Sequence, residues 1–160
     1  MTETTLKRLL QIGIVVPDAP QAAKNFCTLF ALAESAVEII DTTQTAQPIR
    51  VHGQVVTAGL LLAKVSVAQV EFEFIQPLSG ASSQQEFLQA HGPGIQHICI
   101  DVDHYDAMRQ RMAALGGETL SAGGEGAYSY CYMDLREKMG LIFELYNDGL
   151  RDALQKNTDL

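Results

Sequence analysis

The strongest constraint on this chain is an order of elements that occurs twice. Gln11-Ile-Gly-Ile-Val-Val-Pro-Asp and His97-Ile-Cys-Ile-Asp-Val-Asp-His are each a short β-branched run with strict alternation, closed by an acidic turn. A helix-period segment follows each run. In the first, Asp18 is placed to cap, with Gln21 in the reciprocal position, and Ala22, Phe26, Leu29 and Phe30 fall on one face. In the second, Asp103 is placed to cap, and Met108, Met112 and Leu115 form the stripe before Gly116-Gly117 supply a stop. Three strand-like segments then follow each helix: Val37–Ile40, Gln54–Ser66 and Gln69–Gln76, and later Glu118–Ser121, Tyr128–Asp134 and Gly140–Tyr146.

This order predicts an α+β fold in which two βαβββ modules form one curved mixed sheet, a cup, with helices on its outer face. The expected organisation is a single domain over 1–160, with a first module at 8–78 and a second at 95–147. Between them a linker at 79–94 carries a short helix near Gln84–Ala90 and the turn Gly92-Pro93-Gly94, and a tail at 148–160 has room for one more short helix. The loop Asp41–Arg50 is expected near the mouth of the cup.

Side chains in a strand alternate between faces, so each strand sorts into an inside and an outside. Ile12, Ile14 and Val16 oppose Gln11, Gly13 and Val15; Phe72 and Phe74 oppose Glu71, Glu73 and Ile75. Ile98, Ile100 and Val102 oppose His97, Cys99 and Asp101; Leu141, Phe143 and Leu145 oppose Ile142, Glu144 and Tyr146. One face of each strand suits packing under a helix. The other faces bring Gln11, Glu73, His97 and Glu144 toward a common interior. An unpaired buried carboxylate is costly, so two glutamates there call for a cation or strong donors. One nitrogen and three oxygens form a fairly hard donor set, suited to Zn, Mn, Co, Ni, Fe(II) or Mg. The same pattern also fits the wet side of an open antiparallel sheet, with these residues solvated.

Bulk properties narrow the partners. The 160 residues are 47% hydrophobic and 19% charged, which is globular composition. A formal charge of −8 repels phosphate backbones and anionic membranes, so neither nucleic acid nor membrane is an expected partner. It also gives little help to a strongly anionic substrate, although Lys64, Arg109, Arg111, Arg136 or Lys138 could form a local basic rim. No apolar run approaches the roughly 20 residues that cross a bilayer, and MTETTLKRLL has no secretory apolar core, so a cytoplasmic location is expected. Cys27, Cys99 and Cys131 lack metal-site spacing and read as buried, reduced thiols. His91, beside Gly92, reads as a turn residue and His52 and His104 as loop residues, all three solvated.

Four stretches resemble the glyoxalase/bleomycin-resistance/dioxygenase superfamily, also called vicinal oxygen chelate, and within it the methylmalonyl-CoA epimerase-like branch. They are Gln11-Ile-Gly-Ile-Val-Val-Pro-Asp; Glu73-Phe-Ile-Gln-Pro-Leu-Ser-Gly with Glu86-Phe-Leu-Gln-Ala-His-Gly; Gly94-Ile-Gln-His-Ile-Cys-Ile-Asp-Val-Asp; and Tyr132-Met-Asp-Leu with Gly140-Leu-Ile-Phe-Glu-Leu. The resemblance spans roughly residues 8 to 147. It implies a divalent metal at Gln11, Glu73, His97 and Glu144. Gln11 departs from the histidine usual at the first position, although an amide oxygen also binds a hard cation. The epimerases usually carry a glutamate base shortly before a strand glycine, where this chain has Thr57 two residues before Gly59.

The implied activity is that of a metal-dependent isomerase, epimerase or lyase acting on a small carbonyl or acyl-thioester substrate chelated through vicinal oxygens. The metal would stabilise an enolate or enediolate, with Glu144 or, second, Glu73 as general base. Tyr128, Tyr130 and Tyr132 alternate on one strand and, with Thr57, are the expected substrate-binding side chains; an aromatic ladder over the core is the plainer reading of the tyrosines. Two other classes stay open: a metal-free cup that sequesters a small molecule, and a metal-dependent oxygenase. A plain dimeric α+β interaction module would leave the cup empty. A homodimer is expected, because exposed edges of such half-cups commonly pair.

Overall fold

The computed structural model describes residues 3–156. The first module runs β1 (Leu6–Val15), α1 (Ala19–Leu29), β2 (Val37–Asp41), the hairpin β3 (Ile49–Val51) and β4 (Gln54–Val56), β5 (Gly59–Val67) and β6 (Val70–Ser79). Helix α2 (Ser83–His91) links it to the second: β7 (Gly94–Val102), α3 (Tyr105–Ala114), β8 (Glu118–Gly123), β9 (Tyr130–Leu135), the short α4 (Arg136–Met139) and β10 (Leu141–Tyr146). Helix α5 (Asp148–Lys156) occupies the expected tail. The ten described strands form one curled mixed sheet in the order β2-β5-β6-β1-β7-β10-β9-β8-β3-β4. Both modules meet within the one chain, where β1 and β7 pair antiparallel.

The alternation that sorted the strands holds. Ile100, Val102 and Leu145 are buried with Tyr105 and Met112 of α3, with Ile98 and Phe143 packed against them. Ala63, Val65 and Phe74 are buried with Ala19, Ala23 and Cys27 of α1. Each fully buried aliphatic side chain of this kind contributes roughly 1.5–3 kcal/mol. Cys27, Cys99 and Cys131 are free and buried, as the sequence suggested.

The helices sit differently from their expected faces. Asp18 does cap α1, accepting from the Gln21 amide at 2.9 Å, but the Gln21 side chain turns to Asn25 and leaves the box half formed. The seam of α1 is the small set Ala19, Ala23 and Cys27, which lets the helix approach the sheet closely, while Leu29 and Phe30 are 75% and 58% exposed. In α3 the cap position is His104, with no side-chain hydrogen bond. Asp103 accepts from the Thr5 hydroxyl and pairs with Lys7 at 2.7 Å instead. Leu115 is exposed. His91 ends α2 and does not lie in a turn.

The single strand expected over Gln54–Ser66 is two strands broken at Thr57-Ala58. Its first piece belongs to a hairpin whose turn is His52-Gly53, both at positive φ (47° and 77°), the backbone of a two-residue hairpin turn. That hairpin leaves the first module between β2 and β5 and adds to the far edge of the second: Arg50 pairs with Ala122 and Val51 with Ser121. Its turn is also held to α2 by His52 Nε2 and Glu86 Oε2, 2.8 Å apart.

Candidate functional site

The register of the central strands places the polar side chains. Gln11 of β1 pairs with Cys99 of β7, and Gly13 with His97. Exchanging the two strands therefore exchanges Gln11 with His97 and Gly13 with Cys99. The same exchange relates Glu73, beside Gly13, to Glu144, beside Cys99. It also relates Lys64, beside Glu73, to Tyr132, beside Glu144. Gln11, Glu73, His97 and Glu144 are thus two pseudo-equivalent pairs, and all four are buried.

In the second module, Gln96 sets the state of His97. The Gln96 amide donates to the Ser83 carbonyl at 2.9 Å, so its oxygen faces His97 Nδ1 at 3.1 Å. That oxygen only accepts, so Nδ1 donates to it, and Nε2 is the ring nitrogen left for a ligand. His97 Nε2 lies 3.4 Å from Glu144 Oε2. This is longer than an N–H···O bond, and both atoms are buried without a hydrogen-bond partner. Gly13 makes room for the ring, since a methyl group there would fall inside the imidazole's van der Waals envelope. Tyr132 packs edge-on against His97 with centroids 4.7 Å apart.

The first module is arranged differently. Lys64 Nζ lies 3.1 Å from Glu71 Oε1 and 3.3 Å from Glu73 Oε1. Glu71 also accepts from the Gln11 amide nitrogen. The Gln11 oxygen accepts from the Tyr146 hydroxyl at 2.7 Å. Burial alone would push the Lys64 ammonium down, but Glu73 and Glu71 hold it well above the ordinary lysine range. Burial pushes the Glu73 carboxyl up against the pull of Lys64, and Glu144 adds to the rise. Burial, followed by the Glu144 charge, keeps the Tyr132 and Tyr146 hydroxyls protonated. The Cys99 thiol is pushed well up for the same reasons.

Of the expected site residues, the structure gathers Gln11, Glu73, His97, Glu144, Tyr130 and Tyr132. It does not gather Tyr128 or Thr57. Tyr128 lies in a 3₁₀ turn ahead of β9 and is 62% exposed, because β9 begins only at Tyr130. Thr57 is exposed in the link between β4 and β5. Asp101 faces inward as expected and is taken by Arg8 at 3.3 Å and Arg151 at 3.6 Å. Three site residues carry no role in the sequence reading: Glu71, Gln96 and Tyr146. Lys64, expected on a basic rim, lies inside the cup, and the hairpin register opposite Glu73 is the signal that places it.

A divalent cation fits the second half of this set better than the first. His97 Nε2 and Glu144 Oε2 are buried donor atoms with nothing to bond, whereas the Gln11 oxygen and the Glu73 carboxylate already have partners. Among the described residues, no three His, Cys, Asp or Glu side chains stand close enough to hold a metal by themselves.

The chain belongs to the glyoxalase/bleomycin resistance protein/dioxygenase superfamily, whose model matches residues 10–132. The match takes in Gln11, Glu73 and His97 and stops before Glu144. No curated protein sequence matches the chain. Among solved structures, a hypothetical protein from Bacillus halodurans is 19% identical, with 92% of this chain and 96% of that one covered and a TM-score of 0.60. Methylmalonyl-CoA epimerase from Mycobacterium tuberculosis is 20% identical, with 96% of each chain covered and a TM-score of 0.57. A methylmalonyl-CoA epimerase in complex with methylmalonyl-CoA and ammonium is 17% identical, covering 91% of this chain and 98% of its own, at a TM-score of 0.58. At these identities the likeness is one of fold. Among the described residues, no helix is long and apolar enough to cross a membrane.

Proposed function

We propose that the cup is the active site of a divalent-metal-dependent isomerase or epimerase, or a lyase, that removes a proton from carbon next to a carbonyl or thioester group. The observation that carries this reading is the pair of buried, unpartnered atoms His97 Nε2 and Glu144 Oε2. With the Gln11 oxygen and Glu73 they would hold Zn, Mn, Co, Ni, Fe(II) or Mg, which would supply a Lewis acid for a substrate oxygen.

The chain's own residues would do the rest. Glu144 is the general base, with Glu73 the alternative; the carboxylate takes the proton while the C–H electron pair moves toward the carbonyl oxygen. The protonated Tyr132 hydroxyl would donate to a substrate oxygen, with Tyr130, 6.1 Å from Tyr132 between centroids, beside it. Tyr130 also borders a surface depression of about 390 Å³ shared with Arg50, Tyr105 and Arg109 at the α3 side of the sheet. The epimerase neighbours support an acyl-thioester as the first substrate to try. A cytoplasmic homodimer completes the proposal, with the free edges β2 and β4 as the surfaces to examine by sedimentation.

Lys64 against Glu73 favours a second reading, a metal-free cup that binds a small molecule. Elemental analysis of protein purified without chelators or an affinity metal separates the two. Near-stoichiometric divalent metal that is lost in Glu144→Ala supports the enzyme. Absence of metal after reconstitution sinks that reading and leaves the binding cup.

A further inference from the structure

We propose that the Lys64 ammonium is a resident counter-ion of the cup, that a divalent cation must displace it from Glu73, and that Glu71 retains it afterwards. This rests on the metal-dependent reading above.

The charges in the cup support this. Glu71, Glu73 and Glu144 face one another across the strands around Gln11, and Lys64 is the cation in contact with two of them. One ammonium stands against three carboxyl groups, so the cup is short of positive charge, and a divalent cation that enters does not remove the need for Lys64. Staying against Glu73 would hold the ammonium within a few ångströms of the ion that Glu73 ligates, and like-charge repulsion drives it off.

Glu71 supplies the alternative berth, already 3.1 Å from Lys64 Nζ. It also accepts from the Gln11 amide nitrogen, and a carboxylate accepts only, so the Gln11 oxygen is turned away from Glu71. That oxygen is the atom a hard cation would take. A single carboxylate thereby holds the counter-ion and orients the amide, as outer carboxylates orient ligands at metal sites.

The pseudo-symmetry of the two modules supports it independently. The exchange that turns Lys64 into Tyr132 turns Glu71 into Ile142, one step along β10 from the Phe143–Ile98 pair. The second module therefore has neither the ammonium nor its anchor, and its two donor atoms are the ones left without partners. Lys64 and Glu71 occur together in the half whose donors are already engaged. The consequence is a weaker, displaceable metal: the same donor set without Lys64 binds more tightly.

The test is calorimetric titration of Mn²⁺ and Zn²⁺ into the chelator-stripped full-length chain, its Lys64→Met variant and its Lys64→Arg variant. Removing one unit charge a few ångströms from the ion should tighten binding by about 10- to 100-fold in Lys64→Met. Lys64→Arg, which keeps the charge, should bind like the wild type. Equal affinity in wild type and Lys64→Met overturns the counter-ion and leaves the metal reading intact. No binding by any of the three overturns the metal reading itself, and this inference with it.

Should Lys64→Met fail to fold, the Lys64 ¹⁵Nζ resonance of the wild type, assigned by its loss in Lys64→Arg, decides the matter. It should shift at saturating metal yet stay protected from solvent exchange. No shift overturns displacement, and loss of protection overturns retention by Glu71.

Discussion

The two modules place equivalent side chains at equivalent positions and then treat them in opposite ways. In the first, Glu73 meets Lys64, and the Gln11 amide is spanned by Glu71 and Tyr146. In the second, Glu144 meets Tyr132 and His97, and two donor atoms find no partner. The backbone repeat fixes where polar groups point, while side-chain divergence decides which half is electrically closed. A satisfied carboxylate holds structure together, and an unsatisfied one is available to a cation or a substrate proton.

The sharpest way to break this contrast is to neutralise each carboxylate in turn. Glu144→Gln should lower kcat by about 10²- to 10⁴-fold, the range for losing a general base, with little change in melting temperature. Full residual activity in steady-state assays refutes the assignment. The Glu73→Gln variant tests the alternative base, and a larger loss there would reverse the order of the two residues.

A second contrast lies in one atom. Gly13 and Cys99 are pseudo-equivalent, yet a side chain is tolerated only at Cys99. Cys99 faces the flexible amide of Gln11, whereas Gly13 faces the rigid His97 ring across β1 and β7. Gly13→Ala should therefore destabilise the protein by about 2 kcal/mol through overpacking, and displace His97 so that metal binding weakens in parallel. Calorimetric unfolding with a metal titration checks both. A stable Gly13→Ala protein with unchanged affinity would show that the ring is free to move and that the close approach at Gly13 does not matter.

Much of this was legible from alternation alone. Gln11, Glu73, His97 and Glu144 follow from period two in strands that are long and uninterrupted, and the apolar faces under α1 and α3 follow from the same period. What escaped the sequence depends on register or on boundaries. Lys64 stands opposite Glu73 because β5 and β6 turn through Ala68-Gln69, with Ala68 at φ 53°. No Asn-Gly or Asp-Gly pair marks that turn, so nothing in the sequence announced the register. The β3–β4 hairpin did leave a trace in His52-Gly53, but its destination beside β8 is a long-range pairing that local pattern does not carry. Alternation alone carries Tyr128 onto the strand, but β9 starts only at Tyr130. Gln96 points away from the cup, toward α2, and its role runs through the neighbouring ring nitrogen.

The smallest effect expected is a pH dependence that separates the closed half from the open one. The Lys64 ammonium is held above its ordinary value of 10.5 by Glu73 and Glu71, so the folded chain keeps a proton that the unfolded chain releases. Its contribution to stability is then fully present below pH 10.5 and declines above it, since the unfolded state binds fewer protons there. Cys99, Tyr132 and Tyr146 are also raised, and each loses stability in the same direction, so the wild type alone cannot assign the slope. The difference between wild type and Lys64→Met removes their share. Urea midpoints of the metal-free proteins should show a wild-type advantage that is flat from pH 7 to 10 and narrows above it. An advantage that persists unchanged to pH 11 would mean that Lys64 stabilises the cup by packing its stem, and that the first module is not closed by charge at all.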